Sequence, residues 1–275
     1  PAPIMRGHIS PTAMRWDMHR QTEEKTVVYE LSDTKKVNRL FAHWEETMIW
    51  SCLQGVMGKI YVTDPISPRS ACVFVGSFAF YAGEAERELV TFRLSDFVIA
   101  SARSDEWEML IAECFPEARR VTRYATKKDT VFDRNKLRTE AERLPDGYTV
   151  CRIDGELYGE CLKIPFARDF VSSFSDREDY LKNGIGFVVM KNGEIVSGAS
   201  SYSAYVGGIE IEVDTAVPER RKNLASAACA RLICECLDFG VYPSWDAQNK
   251  VSLHLAEKLG YEFSHEYTSY EIKHK

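Results

Sequence analysis

Three consecutive cations, Arg220, Arg221 and Lys222, stand at the predicted start of a long helix. The N-terminus of a helix already carries partial positive charge, so each cation there costs about 0.3–1 kcal/mol of stability. The backbone N–H groups of the first turn are also free to bind an anion, and phosphate is the usual one. The cations therefore indicate a phosphate site, and a solvated basic turn, partly balanced by Glu219, is the alternative.

The residues that follow the cations suit a loop that wraps a diphosphate. Such a loop needs a residue that tolerates positive φ, normally Gly, and Asn223 is of the next most tolerant type. The small side chain of Ala225 lets the backbone approach a ligand closely. These residues extend the predicted anion site beyond the three cations.

A run of alternating apolar and acidic residues precedes the cations. Its carboxylates are Glu210, Glu212 and Asp214, and the alternation predicts a β-strand with all three on one face. On an edge strand they would face water, whereas on a central strand they would line a cleft. In a cleft they are candidates for a general base and for holding a cationic amine. The N–H groups of an interrupted strand would also pair with an extended ligand that carries amides.

The helix predicted over 222–239 has one narrow polar stripe, formed by Arg231, Glu235 and Asp238. Almost every other position is small or apolar, which is typical of a helix packed on a sheet over a broad face. Gly240 is placed to end it. A deeply packed helix with a basic N-terminus would hold a phosphate site rigidly.

Turn signals define the strands around this helix. Asn192 and Gly193 stand between two apolar runs, which is the strongest short signal for a β-hairpin. A second turn at Gly207 and Gly208 leads into the acidic strand, so three antiparallel strands are predicted before the helix. After it, a short strand `YPSWDA` leads to Asn249, the predicted cap of a second helix.

The first half of the chain has an α/β pattern of its own. A helix is predicted over 33–55, then strands at `GKIYVTD`, `ACVFVGSFAFYAG` and `FVIAS`, and a helix at `DEWEMLIAECFP`. We predict a tail over 1–20, an N-terminal α/β domain over 21–142 and a C-terminal domain over 143–275 with the cofactor site. The predicted fold class is α/β (α+β), with a mixed, mostly antiparallel twisted sheet flanked by helices.

The composition limits the classes of partner. Of the 275 residues, 45% are hydrophobic, which is enough for a buried core. The net charge of −6 disfavours nucleic acid, which is bound by clustered cations. The cysteines form no CxxC pair or Cys/His quartet, so we expect no metal site, and free thiols indicate the reducing cytoplasm. No apolar run is long enough to span a bilayer, so no membrane association is expected.

Two segments of the second half resemble the GCN5-related N-acetyltransferase (GNAT) family. `TAVPERRKNLA` resembles its acetyl-CoA-binding motif, Arg/Gln-x-x-Gly-x-Gly/Ala, through Arg220, Asn223 and Ala225, with Asn replacing the first Gly. `NKVSLHLAEKLGYEF` resembles the family's second signature through Asn249, Ser252, Lys258, Gly260 and Tyr261. The clear match covers 184–270. Most of the chain also resembles the subgroup that contains the zwittermicin A resistance acetyltransferase, which implies a first half that is a reduced unit of the same fold without CoA.

The resemblance implies acetyl-CoA as the co-substrate and a set of residues that bind it. The implied cofactor-binding residues are Thr215, Ala216, Val217, Arg220, Arg221, Lys222, Asn223, Leu224, Ala225, Ser226, Asn249 and Ser252. It also implies direct transfer in a ternary complex. Glu212 is the first candidate for the base, with Glu210 or Asp214 equally able to organise water; each of the three is otherwise a solvated carboxylate.

One position departs from the family pattern. Many members carry a tyrosine near the second signature as the proton donor to the thiolate, and counting from Asn249 that position is Ala256. The usual acid is therefore missing. His254, Tyr261, Tyr267 and Tyr270 are nearby alternatives, each of which is otherwise a packing or surface residue.

These features favour an enzyme that acetylates a primary amine of a small molecule, for example an antibiotic-like aminopolyol. A non-catalytic acyl-CoA-binding or sensory protein is the alternative, and the missing tyrosine is its support. A nucleotide-binding protein is a third hypothesis, weakened because no GxxxxGK[ST] pattern is present. The sequence leaves a homodimer open.

Overall fold

The computed structural model describes residues 27–274, so the predicted tail over 1–20 lies outside the described residues. The strands are β1 (Tyr29–Glu30), β2 (Lys59–Val62), β3 (Ser70–Val75), β4 (Phe78–Gly83), β5 (Phe97–Ala102), β6 (Arg119–Thr126), β7 (Tyr148–Arg152), β8 (Gly186–Lys191), β9 (Glu194–Tyr205), β10 (Gly208–Thr215), β11 (Tyr242–Ser244), β12 (Asp246–Ala247) and β13 (Phe263–Lys273). The α-helices are α1 (Thr47–Leu53), α2 (Arg87–Thr91), α3 (Asp105–Cys114), α4 (Arg134–Ala141), α5 (Gly155–Lys163), α6 (Arg177–Asn183), α7 (Leu224–Asp238) and α8 (Lys250–Leu259).

The strands form two sheets. One has the order β1-β2-β3-β4-β5-β13-β6-β12 and the other the order β11-β10-β9-β8-β7. Within the described range, the pairs β4–β5 and β10–β11 are parallel and the other pairs are antiparallel. The predicted mixed, mostly antiparallel α/β fold is therefore confirmed.

The hairpin before the acidic strand forms where the Asn-Gly pair predicts it. Asn192 and Gly193 have φ of 51° and 82°, the left-handed values that a tight two-residue turn requires. The turn joins β8 to β9, and β9 then pairs with β10. β10 thus lies inside the sheet, between β9 and β11, which is the arrangement in which its carboxylates line a cleft.

α7 packs as its polar stripe predicts. Ten of its 15 residues are buried, and it lies against β8, β9 and β10. Gly240, with φ of 70°, follows its C-terminal end. Because this broad contact holds the helix in place, its N-terminus is a rigid feature next to the end of β10.

The helix predicted over 33–55 is wrong in extent. The structure has a 3-10 turn over Thr34–Val37 and a separate short α1. Between them His43 adopts φ of 62°, which no α-helix accommodates. α1 then begins at its own cap, because the Glu46 carboxylate accepts a hydrogen bond from the Met48 N–H at 3.2 Å.

Two runs predicted as single strands are each divided. `ACVFVGSFAFYAG` becomes β3 and β4, joined at Gly76, whose φ of 58° and close contact with the Tyr202 ring leave no room for a side chain. `YPSWDA` becomes β11 and β12, which lie in different sheets on either side of Trp245. The helix α5 was not predicted.

The last strand links the two halves of the chain. β13 lies between β5 and β6, and β12 pairs with β6, so residues from the end of the sequence complete the first sheet. The division at 142/143 stays a prediction. Six of the eight cysteines are buried, as expected for small apolar core residues. Across 27–274, no helix is both long and apolar enough to cross a membrane.

Candidate cofactor groove and acceptor cavity

The site begins where two parallel strands part. β10 and β11 pair at three positions, from Gly208 opposite Tyr242 to Glu210 opposite Ser244. The chain then passes through Trp245 into β12, which pairs with β6 of the other sheet. Beyond Glu210, β10 therefore pairs with β9 on one side, and no strand of the described residues pairs with its other edge. A groove opens along this edge.

The groove has a volume of about 690 Å³ and runs from the end of β10 to the starts of α7 and α8. Most of the predicted cofactor-binding residues line it: Thr215, Arg220, Arg221, Asn223, Leu224, Ala225, Ser226, Asn249 and Ser252. Three do not. Ala216 donates its N–H to the Val196 carbonyl, Val217 is exposed, and Lys222 turns to an ion pair with Glu219.

The start of α7 is open, in contrast to most helices of this chain. Asn223 has φ of 66° and makes no side-chain cap hydrogen bond, so the positive φ predicted for it is confirmed. Arg221 adopts φ of 65° as well, which the sequence did not indicate. Side chains cap α1, α3, α4, α5, α6 and α8. The first N–H groups of α7 thus remain available to an anion.

Arg220 and Arg221 remain beside the open helix start. The Arg220 Nε donates to the Thr215 carbonyl at 3.0 Å, and its guanidinium lies 3.3 Å from Asp214 Oδ1. This arginine is half-exposed, so it can turn toward a ligand at the rim. Lys258 also lines the groove, where its Nζ donates to Asn223 Oδ1 at 2.7 Å and Ser226 Oγ at 3.0 Å, and its charge is paired with Glu140.

The start of α8 is closed by its own cap. The Asn249 side chain accepts a hydrogen bond from the Ser252 N–H at 3.0 Å, which confirms the predicted cap. The Ser252 hydroxyl accepts from Trp245 Nε1 at 3.1 Å. These contacts fix the wall of the groove opposite α7.

A second space, of about 300 Å³, continues from the groove toward the first sheet. Val213, Asp214, Gln248 and Ser252 line both spaces, so the two are continuous. Six carboxylates line this acceptor cavity: Asp169, Glu210, Glu212, Asp214, Asp246 and Glu271. Arg123 is the cation of the lining. The structure thus brings the three predicted catalytic carboxylates together in one acidic cavity.

Glu212 has the electrostatics of a group that can exchange a proton near neutral pH. Burial, followed by the negative charges of Asp169 and Asp214, raises its pKa to about 8 against the opposing effect of Arg123. At neutral pH a carboxyl with such a pKa is present in both its protonated and its ionised form.

Glu210 is held differently. It is 3% exposed, and the Thr47 hydroxyl of α1 donates to its Oε2. Its neighbour Glu46 is also buried, and burial, followed by the negative charges of Glu210 and Asp246, raises the pKa of Glu46 to about 8. No local pattern in the sequence pointed to Glu46, which comes from the first half of the chain.

The first half also supplies walls of the cavity. Ser77 and Phe78 at the start of β4 line it, as does Ile99 of β5. Arg123 of β6 donates from Nε to Asp246 Oδ1 at 2.7 Å and lies over the Phe78 ring at 4.8 Å. These residues were not predicted, because only the pairing of the sheets brings them to β10.

The candidate substitutes for the missing tyrosine fall in different places. Ala256 is fully buried, Tyr261 donates to the Pro243 carbonyl at 2.6 Å, and Tyr270 lies near Glu108. His254 lines the groove, and the Tyr267 hydroxyl lies 3.3 Å from Arg123 Nε.

Tyr202, which was not predicted, lines the cavity and accepts a hydrogen bond from the Ser77 N–H at 2.7 Å. Burial raises the pKa of Tyr202, so its hydroxyl keeps its proton. Within residues 27–274, no group of three or more His, Cys, Asp or Glu side chains is arranged to hold a metal ion.

The chain is similar to several known proteins. The sequence model of the GNAT acetyltransferase family matches residues 38–270. A crystal structure of a GCN5-related N-acetyltransferase-like protein from Streptococcus suis 89/1591 is 45% identical, covers 87% of this chain and 98% of its own, and superposes with a TM-score of 0.84. The uncharacterized N-acetyltransferase YdfB of Bacillus subtilis (strain 168) is 26% identical over 82% of this chain and 89% of its own length.

A third relative shows a likeness of fold alone. A tandem GNAT protein from the clavulanic acid biosynthesis pathway is 11% identical over 90% of this chain and 98% of its own, with a TM-score of 0.52. The family match extends over most of the chain and includes most of both sheets and the open start of α7. The chain belongs to the GNAT acetyltransferase family.

Proposed function

We propose that this protein transfers an acetyl group from acetyl-CoA to a primary amine of a small molecule, directly and within a ternary complex. The observation that carries the proposal is the continuity of the two spaces. A basic, uncapped helix start lies at one end, and an acidic cavity that suits a cationic amine lies at the other.

The residues of the groove fit the co-substrate. The open N–H groups at the start of α7, together with Arg220 and Arg221, would hold a diphosphate. The unpaired edge of β10 would accept an extended chain that carries amides. Acetyl-CoA, when bound, supplies an activated acetyl thioester.

Glu212 is the base in this proposal. The acceptor must be a neutral amine to attack, so Glu212 in its ionised form takes a proton from the ammonium, directly or through water. Asp214 organises water beside it, and Glu210 is held by Thr47. The ammonium proton ends on Glu212. As the new C–N bond forms and the C–S bond breaks, the nitrogen loses its second proton to water, and CoA leaves as its thiolate.

The position of the family's usual proton donor, a tyrosine, is Ala256 in this chain, so the leaving thiolate needs another donor. The Tyr202 hydroxyl, which keeps its own proton and accepts from Ser77, is the donor that the cavity offers. A Tyr202→Phe variant tests this role, because loss of the donor lowers kcat while acetyl-CoA binding is retained.

The direct test is thiol release from acetyl-CoA with a panel of amines, together with mass spectrometry of the products. The panel includes aminopolyols, because the resemblance to the zwittermicin A resistance subgroup points to that chemistry. An acetylated amine supports the proposal. Tight CoA binding without turnover on any amine contradicts it and favours a non-catalytic acyl-CoA-binding protein.

A further inference from the structure

Two buried carboxylates of the acceptor cavity each have an oxygen without a partner. Glu210 is 3% exposed, and its Oε1 has no hydrogen-bond partner among the described residues. The Asp246 side chain is 2% exposed; Arg123 binds its Oδ1 at 2.7 Å, and its Oδ2 has no partner in the same range. Both residues line the cavity. Buried polar atoms are almost always satisfied, so two such oxygens on one cavity indicate a missing donor.

The charged groups around these oxygens can accommodate one further cation. The buried carboxyls are Glu46, Glu210 and Asp246, and the cations near them are the buried Arg123 and the half-buried Lys128. The Lys128 ammonium is already bound to the Ser244 hydroxyl at 2.7 Å, and it lies 3.4 Å from the Trp245 carbonyl.

Two cations thus face three carboxyls. Burial and these like charges raise the pKa of Glu46, which therefore keeps its proton until another cation arrives.

We propose that Glu210 and Asp246 bind a second ammonium group of the acceptor, so that the substrate is a short diamine acetylated at its other end. This proposal rests on the acetyltransferase function proposed above. Glu210 and Glu212 are two residues apart on one strand, which separates their Cα atoms by about 7 Å. A diamine of the length of 1,4-diaminobutane spans that separation, with one nitrogen on Glu210 and Asp246 and the other at Glu212.

The two oxygens should distinguish an ammonium group from a hydroxyl or a methyl group at the end of the substrate. An ammonium donates charge-assisted hydrogen bonds to both orphan oxygens, whereas a methyl group in its place leaves them unsatisfied. An alcohol of the same length donates one hydrogen bond but carries no charge. The preference should therefore follow the order diamine, amino alcohol, monoamine.

The experiment compares kcat/KM for 1,4-diaminobutane, 4-amino-1-butanol and 1-aminobutane in the full chain. We expect kcat/KM for the diamine to exceed that for the monoamine by at least about tenfold, the effect of a charge-assisted hydrogen bond. Glu210→Gln and Asp246→Asn should each reduce this ratio to about threefold or less. Glu262→Gln, the same change at an exposed position, should keep the full ratio.

The outcomes separate this proposal from the one on which it rests. Equal kcat/KM for all three amines overturns the second ammonium site and leaves acetyl transfer intact.

If no amine turns over, the acetyltransferase function fails, and calorimetric titration of 1,4-diaminobutane into the protein with CoA decides the site. Binding that is lost in Glu210→Gln and retained in Glu262→Gln supports the site, and no binding overturns it.

Discussion

The two halves of this chain each contain a strand–helix–strand crossover between parallel strands, and the two crossovers differ in what they leave open. β4 and β5 stay paired at four positions, from Phe78 to Tyr81, with the five-residue α2 between them. β10 and β11 pair at three positions and then part, with the 15-residue α7 between them. Each crossover follows an antiparallel meander.

The difference shows what a cofactor groove requires of this architecture. In the first crossover the backbone groups of β4 and β5 are hydrogen-bonded to each other. The first turn of α2 also carries the acidic Glu88, which repels an anion. In the second, the parting of the strands frees an edge and the start of α7 carries cations. The first half instead contributes cavity walls such as Phe78 and Ile99. We therefore expect the second crossover to bind the co-substrate and the first to form walls of the cavity.

The largest expected effect is on kcat, and it should distinguish the role of Glu212 in catalysis from the binding of acetyl-CoA in the groove. Glu212→Gln should lower kcat by about 10²–10⁴-fold, because the general base is lost, while the Kd for acetyl-CoA changes by less than about twofold. Steady-state kinetics and calorimetry measure the two quantities. Glu84→Gln, at the exposed end of β4 in the first crossover, is the matched control and should change neither. Full activity in Glu212→Gln would remove Glu212 from the mechanism.

Charge reversal compares the two helix starts directly. Arg220→Glu should weaken acetyl-CoA binding by at least about 1–2 kcal/mol, or about five- to thirtyfold, because repulsion replaces a phosphate contact. Arg87→Glu makes the same change at the start of α2, where the arginine is paired with Glu113, and should leave the Kd unchanged. Equal effects of the two variants, measured by calorimetry, would contradict the assignment of the diphosphate to α7.

The buried carboxyls predict how stability depends on pH. Glu46, from the first half, and Glu212, from the second, have pKa values raised from 4.5 to about 8 by burial. Between these values the folded protein keeps protons that the unfolded chain has lost. The contribution of these two groups to stability is therefore complete below about pH 4.5 and is lost as the pH rises to about 8.

Urea unfolding at a series of pH values measures this loss. Glu212→Gln should flatten the fall in the free energy of unfolding, because the substituted side chain no longer ionises, and Glu84→Gln should retain the wild-type slope. A slope unchanged in Glu212→Gln would show that this carboxyl is ionised in the folded protein throughout the range.

The smallest expected effect is a difference in the free energy of unfolding between variants of the two asparagines beside the groove. Asn249→Ala removes the cap of α8 and should lower the free energy of unfolding by about 1 kcal/mol. Asn223→Gly, at the open start of α7, removes no cap and suits the positive φ, so stability should change by less than about 0.5 kcal/mol. Chemical denaturation measures both. A larger loss for Asn223→Gly would mean that the contacts of its side chain with Lys258 and Arg143 stabilise the fold.

Local signals in the sequence predicted much of the second half. The Asn-Gly turn, the polar stripe of α7, the positive φ of Asn223 and the cap at Asn249 each depend on residues a few positions apart. The helix over 33–55 was wrong because its apolar spacing carried no sign of the left-handed turn at His43. Lys222 was included among the cofactor residues by its position, but Glu219 competes for its charge.

The sequence alone determined the fold class, the basic start of α7 and the acidic face of β10, because turns, caps and alternation are set by neighbouring residues. Only the tertiary structure decided that β11 and β12 part into different sheets and that Arg123 and Glu46 reach the cavity. Those contacts join residues more than a hundred positions apart. They arise from the pairing of β6, β12 and β13, and no local pattern encodes that pairing.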